Sequence, residues 1–156
     1  MKTIATDGKT VSCDGLGLSE ELEVLSDDEN KITVLTTSEG LEFLCGFAGK
    51  ISNVDKLIKW IESTSRNEDN VPDTEDEFIC MCMMSKPFTY HSSDFKYIEY
   101  PYAIGNGSHL AMGAMFNGAK SDDAIRIASK IDPYTGGYIR TYDLKTLEMI
   151  SREKVE

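Results

Sequence analysis

The chain has 156 residues, with 16 basic against 27 acidic side chains and a net charge of -11. That length suits one domain spanning 1–156, large enough to hide roughly 70% of its unfolded surface. The charge disfavours long-range attraction to nucleic acid or anionic membranes, and no apolar run approaches the roughly 20 residues that cross a bilayer.

Thr3 to Thr6 and Thr10 to Cys13 are β-prone and flank Asp7-Gly8, a strong two-residue turn signal, so the chain is expected to open with a hairpin. Residues 18 to 30 read as a polar, acidic connection with one helical turn over Ser19 to Leu25. Ile32 to Thr36 and Leu41 to Phe47 form a second predicted hairpin around Ser38-Glu39-Gly40. Asn53 is the expected N-cap of a helix whose apolar stripe is Val54, Leu57, Ile58 and Ile61. Arg66 to Glu77 is acidic, contains Pro72 and reads as a mobile loop.

Three strands are expected over Phe78 to Met84, Phe88 to His91 and Phe95 to Tyr100, with Ser92-Ser93-Asp94 turning the last two. Two helices follow, over Leu110 to Asn117 and from Ser121 with Ala124, Ile125, Ala128 and Ile131 on one face. Tyr138 to Tyr142 reads as a strand and Leu144 to Glu156 as a short helix or frayed tail. Strands, helices and strands in that order predict an α+β layered domain.

Cys13, Cys45, Cys80 and Cys82 lie in apolar, strand-like surroundings, which predicts buried free thiols. Cys80 and Cys82 would share a strand face and could chelate a soft metal, yet no second Cys or His pair completes a four-ligand zinc site. No metal site and no cofactor is therefore expected. His91 and His109 read as surface residues. The N-terminus lacks the basic and apolar regions of a signal peptide, so the expected location is cytoplasmic.

Taken singly, the remaining motifs are ordinary: Asp14 a turn carboxylate, Lys31 a solvated lysine, Gly46-Phe47-Ala48-Gly49 a tight strand end, Gly105-Asn106-Gly107-Ser108 a loop before a helix. Their order carries more. From Met1-Lys2-Thr3-Ile4-Ala5 through Cys13-Asp14-Gly15 and Lys31 to Asp132-Pro133-Tyr134-Thr135-Gly136-Gly137, the series resembles the proteasome β-subunit family, especially the bacterial HslV-type peptidase and its compact phage-like relatives. The resemblance runs from Met1 to Tyr142, and its most specific piece is the Asp132 to Gly137 element.

The resemblance implies the four-layer αββα sandwich of the N-terminal nucleophile (Ntn) hydrolases. It also implies a mature chain that opens with a threonine, whose hydroxyl attacks peptides while its free amine takes the proton. By the same resemblance Asp14 holds and orients Lys31, whose charge eases deprotonation of the hydroxyl, and Ala48-Gly49 is similar to the family's oxyanion turn. Asn106 stands where the family has a serine, Ser108 covers part of that role, and Asp132 with Thr135 matches the pair that arranges the amine and a water. Family members form rings of six or seven subunits stacked in pairs, which implies a homo-oligomer and opens the way to a partner ATPase or peptidase ring, with peptide as substrate.

Lys2 occupies the nucleophile's position, because compact relatives begin Met-Thr-Thr-Ile-Ala. Thr3 matches the second threonine, and on a strand it faces away from the pocket. Initiator methionine is normally removed before small residues, so Lys2 would protect Met1. The expectation is a silent or atypical member, a pseudoenzyme that keeps the fold. Alternatives are a threonine peptidase that uses Thr3 after loss of Met1 and Lys2, a lysine amine that forms imines with carbonyl compounds, or an assembly or regulatory subunit of a peptidase ring.

Overall fold

A computed structural model of the chain describes residues 2–19, 21–49, 51–63, 72, 78–91 and 94–155. Within them lie three sheets and three helices in a mixed α+β arrangement. The chain divides into two compact units, one made of Met1–Ile32 with Glu99–Glu156 and the other of Thr33–Ile98.

In the first unit, β1 (Ile4–Thr6) and β2 (Thr10–Cys13) form the expected hairpin, with Ile4 opposite Cys13. Asp7 holds its turn by accepting the Lys9 and Thr10 amides on Oδ1, each at 2.8 Å. The 18 to 30 segment corrects the expected helical turn. It contains β3 (Gly17–Leu18) and β4 (Val24–Ser26), an antiparallel pair. Ser19 Oγ accepts the Glu23 amide and Leu22 takes φ 64°, which closes a turn in place of a helix. A short strand that the sequence did not suggest, β10 (Tyr102–Ile104), lies beside β1.

The C-terminal region supplies α2 (Ser108–Phe116), α3 (Ser121–Ser129), β11 (Tyr138–Asp143) and β12 (Met149–Lys154). The predicted terminal helix or tail is thus a strand paired with β11. The five-stranded sheet runs β10-β1-β2-β11-β12. Both helices pack on it, over a core of Ala5, Ala103, Ala111, Met115, Ala124, Ile125, Ala128 and Ile139. Small side chains on the sheet let the helices approach, and a hydroxyl ladder ties them down: Ser12 Oγ lies 2.7 Å from both Ser121 Oγ and Thr141 Oγ1. Ile131, expected on the buried stripe of α3, falls beyond the helix end and is exposed.

The second unit holds the sheet β5 (Ile32–Thr36), β6 (Glu42–Ala48), β7 (Ile79–Met83), β8 (Phe88–His91) and β9 (Asp94–Tyr97), in chain order. Its helix α1 (Ile51–Glu62) starts before the predicted cap, so Asn53 sits inside the first turn, buried, with Nδ2 lacking a hydrogen-bond partner among the described residues. Val54, Leu57, Trp60 and Ile61 of α1 join Phe43, Phe78, Phe88 and Tyr90 in one core. Each such burial stabilises by roughly 1.5–3 kcal/mol relative to exposure. Of the predicted acidic loop Arg66 to Glu77 only Pro72 is described, and Ser92 and Ser93 of the predicted turn, like Met1, also lie outside the described residues.

Candidate active site

The β1–β2 hairpin sets the first contacts of the site. With Ile4 opposite Cys13, the next residues outward are Thr3 and Asp14. The Thr3 amide donates to Asp14 Oδ1 at 3.0 Å, and the Asp14 amide returns a bond to the Thr3 carbonyl at 3.1 Å. Asp14 is fully buried and accepts two more bonds: Lys31 Nζ reaches Oδ1 at 2.6 Å and the Gly136 amide reaches Oδ2 at 3.1 Å. Lys31 also donates to the Leu16 carbonyl at 3.1 Å. Removing a lysine from water pushes its pKa below the usual range. The Asp14 carboxylate opposes that shift, and the charge of Lys2 adds to it. Cys13, next to Asp14, is held as a neutral thiol, its pKa pushed up to about 11 by burial.

Thr3 Oγ1 belongs to a chain of hydroxyls whose direction can be worked out. It lies 2.8 Å from Thr135 Oγ1, and Thr135 Oγ1 donates to Asp132 Oδ2 at 2.5 Å. A hydroxyl has one proton, so Thr135 must accept from Thr3. The Gly107 amide donates to Thr3 Oγ1 at 2.9 Å. Thr3 is fully buried, and its hydroxyl is used both as donor and as acceptor. Any side chain on Gly107 would crowd this chain, since a Cβ there would lie 2.8 Å from Thr135 Oγ1 and 3.0 Å from Thr3 Oγ1.

Lys2 precedes Thr3 and forms an ion pair with Glu29, its own side chain 19% exposed. Its backbone is pinned from the other side. Gly105 takes φ +98°, and a Cβ on it would overlap the Lys2 carbonyl oxygen at 1.4 Å. Only glycine permits both the conformation and the approach.

Of the residues singled out in the sequence, Lys2, Thr3, Asp14, Lys31, Asp132 and Thr135 thus connect through bonds or charge within the first unit. Asn106 is in the exposed turn before α2, and Ser108 is the first residue of that helix. Neither is hydrogen-bonded to Thr3 or Asp14 among the described residues. Gly49 follows β6 in the second unit with φ +117°. His91 and His109 are exposed. Sequence reasoning missed Glu29, and it quoted Gly107 and Gly136 within motifs without giving either a role of its own. Glu29 stands two residues before Lys31 in an acidic run, and only its pairing with Lys2 distinguishes it from its neighbours.

No protein-family profile and no curated protein matches the sequence. Solved structures do match in shape. Eukaryotic HslV from Trypanosoma brucei superposes with a TM-score of 0.70 at 18% identity, over 90% of this chain and 96% of that one. Anbu, the ancestral β-subunit, from Yersinia bercovieri gives 0.61 at 8% identity, over 99% and 87%. Anbu of Pseudomonas aeruginosa, solved as the helical assembly of the Anbu complex, gives 0.59 at 11% identity, over 99% and 87%. At these identities the likeness is one of fold, and the chain has the proteasome β-like fold of HslV and Anbu.

Proposed function

We propose that this chain is a proteasome-β/HslV-like protein of the threonine-peptidase family, catalytically silent because Lys2 fills the nucleophile's position. One observation carries the reading: the hydroxyl nearest that position, Thr3 Oγ1, is buried and already engaged with Gly107 and Thr135. A nucleophile needs a lone pair free to meet the substrate and a base free to take its proton. Thr3 keeps one lone pair, but its proton is committed to Thr135 and its full burial keeps substrate away from the oxygen. The Lys2 side chain is itself tied up in an ion pair with Glu29.

Asp14 and Lys31 are the family pair kept without a hydroxyl to activate, Gly49 takes the oxyanion turn by resemblance, and Asn106, Ser108, Asp132 and Thr135 take the remaining family positions. The two units make one domain in this reading, since a single HslV chain is covered over 96% of its length. The four-layer αββα sandwich is supported by two five-stranded sheets, one carrying α2 and α3 and the other α1. Self-assembly follows the Anbu precedent of a helical assembly. The compact phage-like type, a ring form, a partner ATPase and a role on another peptidase ring rest on sequence resemblance. No helix among the described residues is long and apolar enough to cross a membrane. Buried free thiols accord with a reducing, cytoplasmic setting.

The test is Lys2→Thr, which permits Met1 removal and restores a hydroxyl beside Lys31. Peptide hydrolysis is expected to appear in the folded, processed variant and to be absent from the parent chain. An inert variant with a correct N-terminus would defeat the proposal that activity lapsed with the nucleophile. Intact mass of the parent chain separates the alternative: a mass beginning at Thr3 would make a working peptidase the better account.

A further inference from the structure

The thiols of the second unit form a group that the site above does not use. Register places Cys45 of β6 opposite Cys82 of β7. Side chains alternate along a strand, so Cys80 shares the face of Cys82. The three sulfurs all lie within 4.8 Å of one another, with 3.6 Å between Cys82 Sγ and Cys45 Sγ. At most 1% of any of the three residues is exposed. Around them stand Phe43, Val54, Leu57, Phe78 and Phe88 of the core.

Three sulfurs bonded to one ion at about 2.3 Å would form a triangle with edges of about 4.0 Å. The 3.6 Å pair and the 4.8 Å limit on the others are compatible with that value. No fourth Cys, His, Asp or Glu joins the group among the described residues. Structural zinc sites take four ligands, and hard cations take oxygen donors. A sulfur-only set of three, shielded from water, suits a soft ion of low coordination number, and thiolates favour copper(I).

We propose that Cys45, Cys80 and Cys82 form a three-coordinate binding site for Cu(I) in the core of the second unit. Binding changes no oxidation state: copper enters and stays as Cu(I), S–Cu bonds replace S–H bonds, and the displaced protons leave to solvent. Because the sulfurs are buried, the ion enters as the chain folds or through local opening, and it exchanges slowly once inside.

The experiment uses the full chain, refolded without oxygen in the presence of Cu(I) and then challenged with a chromophoric Cu(I) chelator. The expected result is a single copper retained per chain, with X-ray absorption reporting three sulfur neighbours. Cys45→Val, Cys80→Val and Cys82→Val should each weaken retention by about tenfold or more, as metal-site changes typically do, whereas Cys13→Val should not. The proposal is overturned if the parent chain yields its copper as readily as the folded variants do, or if it retains four-coordinate zinc in preference. Where a variant fails to fold, the coordination number measured on the parent chain decides.

Discussion

Lys31 shows how much a single buried charge depends on its partner. Its ammonium and the Asp14 carboxylate are both shielded from water and 2.6 Å apart. Removing one member leaves the other uncompensated, so Lys31→Met should cost about 3–5 kcal/mol in urea denaturation. The double change Lys31→Met with Asp14→Asn should recover part of that loss, because no unpaired charge remains. The pH dependence has a definite sign. Since the folded state holds the pKa of Lys31 below 10.5, the unfolded chain binds more protons between the two values, and this residue's contribution to stability rises with pH up to about 10.5. That alkaline slope should be smaller in Lys31→Met. Asp14, Asp132 and Thr135 were singled out from short motifs and Lys31 from its order among them, and hydrogen bonds tie Asp14 to Lys31 and Asp132 to Thr135. Glu29 was not singled out, and Gly107 was quoted only as part of a loop motif, since their contacts arise only when Lys2 and Thr3 fold against them.

Between elements, Asp7 joins the first hairpin to α3. Besides the two turn amides, its Oδ2 accepts the Thr10 hydroxyl at 2.9 Å and the Ser121 amide at 3.1 Å. Burial pushes its pKa up, but the bonds from Thr10, Lys9 and Ser121 outweigh burial and hold it below 3.8. The stability it supplies is therefore present above pH 3.8 and is lost as pH falls through the lowered value. Asp7→Ala should cost about 1–3 kcal/mol at neutral pH, and the gap between the two proteins should close in acid, as thermal unfolding at a series of pH values would reveal. The hairpin itself was readable from Asp7-Gly8 and the flanking β-prone runs. The β3–β4 pair and β12 were not, for a shared physical reason. Leu22, Val24, Leu25, Met149 and Ile150 are all exposed, so neither segment has the alternation that burial of one face imposes. With three residues, β10 is too short to leave a pattern.

At the scale of the whole molecule, charge governs the proposed self-assembly. Each copy brings a net -11, so bringing copies together accumulates like charge. Added salt screens that repulsion, with a Debye length of about 8 Å at physiological ionic strength against about 30 Å at 0.01 M. Sedimentation velocity should accordingly find larger species at physiological salt than at 0.01 M. A uniform monomer at both would count against self-assembly. The contact between Gly105 and the Lys2 carbonyl bears on history as well as on folding. It grips the backbone at position 2, so this contact does not depend on the side chain there, whereas the ion pair with Glu29 does. Lysine and threonine codons can differ by one base. A single mutational step could thus exchange the two residues at this position while the Gly105 contact stayed as it was.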